Sequence, residues 1–229
     1  MSLQVGTLKF FIILLQLDLL TKIVLVSLFI FSLCSWTVII EKFFKFRLLD
    51  IKSNKFEKLF WSGDSIENIY ERAKNIQKSP NGTVFIAAMQ EWTNNNVQEI
   101  IKSNSASKKE SFKERIYDAM IVVGRRSMKK LRKGITFLLV SYTTSMFLGL
   151  LGTVWGLMQT FRTISLMKEA NLATIAPGVS TSLITMLISI ICIIPPMIAY
   201  HLFTSRINDY EEELDNFTLE VLTVLSRDL

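Results

Sequence analysis

Charged residues vanish from three stretches of this chain, and the spacing of those stretches sets its architecture. Ile23 to Ile40 (IVLVSLFIFSLCSWTVII) is 18 residues long and lies between Lys22 and Glu41. Gly134 to Phe161 carries no charge, and Ala170 to Ser205 carries none apart from His201. About 20 apolar residues at about 1.5 Å each cross a bilayer core. Leu, Ile and Val occupy every side of these segments rather than the single stripe of a soluble helix. The pattern predicts three transmembrane helices, with Trp36 of the first in an aromatic belt.

Outside these stretches the period changes. Phe112, Ile116, Met120, Val123, Ser127 and Leu131 recur at the three-and-four spacing of a helix with one buried stripe, and no proline separates them from the second span. Phe203, Ile207, Tyr210, Leu214, Phe217, Val221 and Val224 continue the third span in the same way. Both spans are therefore expected to extend as amphipathic rods into a helical bundle, with Glu211, Glu212 and Glu213 solvated. The long loop reads as helical fragments around Phe56 to Gln77, a Pro80-Asn81-Gly82 turn, a segment from Thr83 to Trp92, and a polar linker from Thr93 to Lys109. FFIILL after Lys9 resembles a signal sequence, but Gln16 and Asp18 interrupt it and no small-x-small site follows, which predicts an uncleaved interfacial helix.

Charge supplies the orientation. Lys42, Lys45, Arg47, Lys52, Lys55 and Lys58 follow the first span, and Arg125, Arg126, Lys129, Lys130, Arg132 and Lys133 precede the second. The second connection has only Arg162 and Lys168, and the N-terminal tail only Lys9 and Lys22. The positive-inside rule then places the long loop and the C-terminus in the cytoplasm and the N-terminus outside. The predicted order is an interfacial segment at 1–22, a first span at 23–40, a cytoplasmic helical loop at 41–134, a second span at 135–158, a short periplasmic connection at 159–175, a third span at 176–203 and a cytoplasmic helix at 204–229. The net charge of +6 reads as a topology signal with some attraction to anionic lipid, so a nucleic-acid partner is not expected.

The inventory of reactive groups is short. Cys34 and Cys192 lie in different spans as small packing residues, and the lone His201 has no second ligand at helical spacing. No catalytic group, metal site or cofactor is expected, and the chain does not read as an enzyme. Neither the second nor the third uncharged stretch holds a carboxylate, so a proton-driven machine built on them must borrow one from a partner.

Small and hydroxylated residues instead form two stripes. The second span aligns Ser141, Ser145, Gly149, Gly152 with Thr153, Gly156 and Thr160; the third aligns Gly178, Thr181 with Ser182, Thr185, Ser189, Cys192 and Pro196. Such stripes let helix backbones approach and bond across the gap. They could equally line a narrow polar conduit, because hydroxyls need no charge. Their extent predicts an oligomer, on the argument that one chain cannot bury both.

GLLGTVWG (Gly149 to Gly156), TIAPGV (Thr174 to Val179) and the double proline before IAYH (Pro195 to His201) resemble the second and third spans of the TolQ, ExbB and MotA superfamily of proton-channel stator subunits. SWTVIIEK (Ser35 to Lys42), FWSG (Phe60 to Gly63) and NFTLEVLTVLSRD (Asn216 to Asp228) extend the likeness, toward the TolQ group, over nearly the whole chain. The resemblance implies an all-α inner-membrane protein, assembled as a homo-pentamer around the helices of a TolR-like single-span partner whose membrane aspartate is protonatable. The pair would use the proton-motive force to drive a TolA-like protein for outer-membrane integrity and cell division. An ExbB-like role in TonB-dependent uptake and a passive membrane scaffold are the alternatives.

The resemblance also implies site residues. Thr153 keeps the family's threonine in the GTVWG motif. Thr181 and Met186 stand where the family has a glutamate and a second threonine. Thr185, one turn beyond Thr181 and in line with Gly178 and Ser189, offers a replacement hydroxyl. Thr153, Thr181, Thr185, Ser182 and Ser189 are thus expected in the conduit or facing a partner. Gly149, Gly152, Gly156, Pro177, Gly178 and Pro195 are expected in packing and turns.

Overall fold

The computed structural model describes residues 18–75, 79–94, 106–167 and 172–227. They form six helices: α1 (Leu19–Phe60), α2 (Ile66–Asn75), α3 (Pro80–Asn94), α4 (Ala106–Arg132), α5 (Ile135–Met167) and α6 (Leu172–Arg227). No strand occurs among the described residues. Three helical stretches, including Leu19–Phe60 and Ile175–Ser226, are long and apolar enough to cross a membrane. The chain is an all-α, multi-pass membrane protein.

Two compact units divide it: Met1–Ile40 with Gly134–His201, and Glu41–Lys133 with Leu202–Leu229. In the first, the upper part of α1 packs along α5, where Ser35 Oγ and Ser141 Oγ share a buried 2.7 Å hydrogen bond. Its outward side chains, among them Phe29, Phe147, Leu187 and Ile191, are apolar and exposed, as a lipid-facing surface requires. In the second unit the predicted stripes become a core. Phe112, Ile116, Met120, Ile207, Leu214, Phe217 and Val221 are all buried. Phe217 stands edge-on to Phe56 and Phe60, with ring centroids 5.8 and 5.1 Å away. Gly124 leaves room for Leu214, whose Cδ2 would lie 3.1 Å from an added Cβ.

The structure departs from the sequence pattern at five places. First, α1 runs unbroken to Phe60, where separate fragments from Phe56 were expected. No glycine or proline interrupts it, and Phe46 stacks on Phe203 at 5.4 Å to anchor the extension. Second, Pro80-Asn81-Gly82 opens a helix rather than making a turn. Ser79 caps it, its Oγ accepting from Gly82 N–H at 3.0 Å, and proline suits the first helical position because it lacks a proton to bond. Third, the rod running into the second span is broken at Lys133 and Gly134, where Gly134 adopts φ 92. Fourth, Glu211 is only half-exposed and pairs with Arg132 at 2.7 Å. Helix also occupies 159–167 and 172–175, where a connection was expected. Most of the expected linker, residues 95–105, and the interfacial segment before Asp18 lie outside the described residues.

Candidate functional site

Within the membrane unit, α5 and α6 run antiparallel with their small residues interlocked. Ser189 faces Gly149, Thr185 faces Gly152 and Ser182 faces Gly156. One turn further the roles exchange, and Thr160 of α5 faces Gly178 of α6. A Cβ on Gly152 would lie 2.6 Å from Thr185 Cγ2, and at Gly149, Gly156 and Gly178 the conflict would be closer still. Each glycine is therefore a socket for one hydroxyl-bearing side chain. Ser182, Thr185 and Ser189 are at most 2% exposed. Most of the two stripes is covered inside a single chain, so their extent does not by itself call for a second copy.

Nearly every hydroxyl proton here is spent on backbone. Ser182 donates to Gly178 O at 3.0 Å, Thr185 to Thr181 O at 3.0 Å and Thr160 to Gly156 O at 2.9 Å. Thr153, 9% exposed, donates to Leu150 O at 2.7 Å. Ser189 crosses to α5, donating to Ser145 O at 2.7 Å. A hydroxyl with its proton engaged retains lone pairs. These hydroxyls therefore keep acceptor capacity, and each must rotate before it can donate to a carboxylate.

The remaining sequence candidates are not drawn into the interlock. Thr181 is half-exposed and donates to Pro177 O at 2.9 Å, and Met186 is 43% exposed. Both positions that differ from the family pattern therefore lie on accessible parts of α6. Pro177 is exposed and Pro195 half-buried, both inside α6 rather than at a turn. His201 is exposed beside Tyr200, and no group of metal-ligating side chains occurs among the described residues.

Two polar residues escaped the sequence reading. Lys42, counted there only as a topology charge, is 1% exposed and donates from Nζ to Leu131 O at 2.8 Å. Asp18, read only as an interruption, accepts at Oδ2 from Trp155 Nε1 at 3.2 Å and Gln159 Nε2 at 2.6 Å. A signal for Lys42 existed in Gly134, since a helix that stops there leaves carbonyls in need of donors. Trp155 and Gln159, four apart on one helical face, were the corresponding signal for Asp18.

Residues 77–216 match the model of the MotA/TolQ/ExbB proton channel family. The chain belongs to the MotA/TolQ/ExbB proton channel family. It is 29% identical over 222 residues to the Tol-Pal system protein TolQ of Haemophilus influenzae, covering 96% of this chain and 95% of that one. It is 30% identical over 187 residues to the Tol-Pal system protein TolQ of Pseudomonas aeruginosa, covering 81% and 78%. The Biopolymer transport protein ExbB of Pseudomonas putida is 28% identical over 212 residues, covering 93% of this chain and 62% of that protein. Within the MotA/TolQ/ExbB family the chain groups with TolQ, and it is a stator-type subunit of the Tol or ExbB kind.

Proposed function

We propose that the chain is the inner-membrane stator subunit of a Tol-type motor driven by the proton-motive force. In this reading several copies, five by family resemblance, surround a TolR-like single-span partner whose membrane aspartate carries the proton. The assembly energises a TolA-like protein for outer-membrane integrity and cell division. The N-terminus lies in the periplasm and the C-terminus in the cytoplasm, as the Lys and Arg clusters require.

One observation carries the reading. The interlocked faces of α5 and α6 present Thr153, Ser182, Thr185 and Ser189, while no carboxylate occurs from Ile135 to Met167 or from Leu172 to Phe203. Hydroxyls with free lone pairs can relay or stabilise a protonated carboxyl but cannot store a proton. A borrowed aspartate completes the set.

The closed packing of the same hydroxyls favours a second reading, a passive scaffold. Thr153→Val and Thr185→Val separate the two, since valine keeps the volume and loses the bond. A proton path predicts intact oligomers with lost motor function, read as leakage of periplasmic contents, and partial recovery of Thr185→Val by Met186→Thr. Full function with both hydroxyls removed eliminates their place on a proton path and leaves helix packing as their role, each interhelical hydroxyl being worth about 1 kcal/mol.

A further inference from the structure

The end of α4, from Arg125 to Lys133, holds six cations and no acid, and the nearest acid before it on the helix is Asp118. Arg132 is engaged by Glu211 at 2.7 Å. Arg125, Arg126, Lys129, Lys130 and Lys133 are exposed and pair with no carboxylate among the described residues. The opposite imbalance lies across α6. Asp50 and Glu57 of α1 face Asp209, Glu213 and Glu220 of α6 around a cavity of about 510 Å³, and among the described residues only Arg206, 3.0 Å from Asp50, lines it as a cation. Successive helical residues turn by about 100°, so Asp209, Glu213 and Glu220 lie on the side of α6 away from Glu211 and Asp215, which line its groove with α4. Both faces also share a level of this unit. Along α6, Asn208 and Glu211 meet Arg132, Arg206 and Tyr210 meet Asp50, and Leu214 and Phe217 meet Gly124 and Phe56.

We propose that the cationic face of α4 docks on the acidic cavity between α1 and α6 of a second copy of this chain, with Arg125, Arg126 and Lys129 set against Glu57, Asp209 and Glu220 there. The inference rests on the motor reading above for its several copies. Copies held in one bilayer stand side by side, so complementary patches meet only when both lie at one level, as these do. The two faces are unlike and flank the same helix. A two-fold dimer sets each patch against itself, like charge on like, whereas a head-to-tail contact sets cation on acid and repeats until the rotation closes a ring. Guanidinium groups suit the contact, since each offers a carboxylate two parallel N–H donors. Anionic headgroups compete for Lys130 and Lys133, which adjoin the second span, and less for Arg125 and Arg126, two turns further from it.

Two charge reversals test the contact in the full chain, purified in detergent and weighed by native mass spectrometry over a range of concentrations. One joins Arg125→Glu to Arg126→Glu, and the other joins Glu57→Lys to Glu220→Lys. The expected result is wild-type helicity by circular dichroism in both, with the concentration for half-assembly raised by about tenfold or more, the scale of a like-charge contact at an interface. All four substitutions together exchange the signs and should restore assembly, which a folding defect in either pair would not allow. Assembly unchanged in both reversals overturns the proposal, as does loss in both without recovery in the fourfold variant. Phosphatidylglycerol added to the detergent probes the lipid alternative. Fewer phosphatidylglycerol molecules retained by Arg125→Glu with Arg126→Glu, at unchanged assembly, would assign the face to lipid and overturn the proposal. A wild-type chain that stays monomeric overturns the interface and the multi-copy motor together. An assembled wild type whose reversals have no effect removes the interface alone and leaves the motor standing.

Discussion

At the scale of single residues, Lys42 shows how a charge can be spent on structure. The last carbonyls of α4 have no helical donor, and the helix dipole puts partial negative charge there. Lys133 N–H reaches back to Lys129 O at 3.2 Å, and Lys42 Nζ takes Leu131 O from outside the helix. Burial, the neighbouring Lys45 and, in the opposite sense, Glu41 act on this ammonium, with a net lowering of its pKa. Lys42→Met keeps the apolar stem and strands the carbonyl. It should destabilise the protein by about 1–3 kcal/mol, read as a lower melting temperature in detergent. No change would mean that water caps Leu131 instead. Sequence alone gave Lys42 one sign among six, because burial of a lysine depends on a helix end 89 residues away.

Among elements, the periodic stripes were legible and the breaks were not. Phe112 to Leu131 and Phe203 to Val224 read as buried faces because a helix repeats every third or fourth residue. Gly134 escaped notice as a stop because apolar periodicity resumes immediately after it. Its φ of 92 lies in the left-handed region, where a Cβ is strained. Gly134→Ala should cost about 1–2 kcal/mol, measurable by thermal unfolding, unless α4 and α5 fuse into one helix. Fusion would appear as a gain in helicity by circular dichroism and would show that the break is only weakly held. The pairing of α5 with α6 was half-legible: both small-residue stripes were evident, yet which residue meets which is a matter of register that one sequence does not encode.

For the molecule as a whole, three spans and an all-α design followed from hydropathy, whereas the distribution of acid in the second unit did not. Asp50 and Glu57 of α1 join Asp209, Glu213 and Glu220 of α6 around a cavity of about 510 Å³. Arg206 answers Asp50 at 3.0 Å, and Tyr210 donates to the same carboxylate. Burial, and then Glu57, Asp209 and Asp50, push the Glu213 carboxyl above its ordinary range. An acid whose folded pKa is raised favours the folded state while protonated. This contribution is present below the ordinary glutamate pKa and is lost as pH rises through the raised one. Glu213→Gln should therefore flatten the melting temperature against pH just above the ordinary carboxylate range, with Glu212→Gln as the control. A parallel profile for both variants would show that Glu213 is fully screened. Glu212 and Glu213 are exposed as the sequence suggested; the crowding of Glu213 was not legible because the facing acids of α1 lie more than 150 residues away in the chain.

The glycine sockets between the second and third spans also constrain how this chain can change over generations. Gly149 with Ser189, Gly152 with Thr185, Gly156 with Ser182 and Gly178 with Thr160 each share a volume that admits one side chain and no more. A larger residue on one helix is tolerable only with a smaller one opposite, and Gly178 with Thr160 already displays that exchange in reverse. Homologous sequences should therefore drift at these positions in couples, with bulk passing from one helix to the other while each couple's total stays fixed.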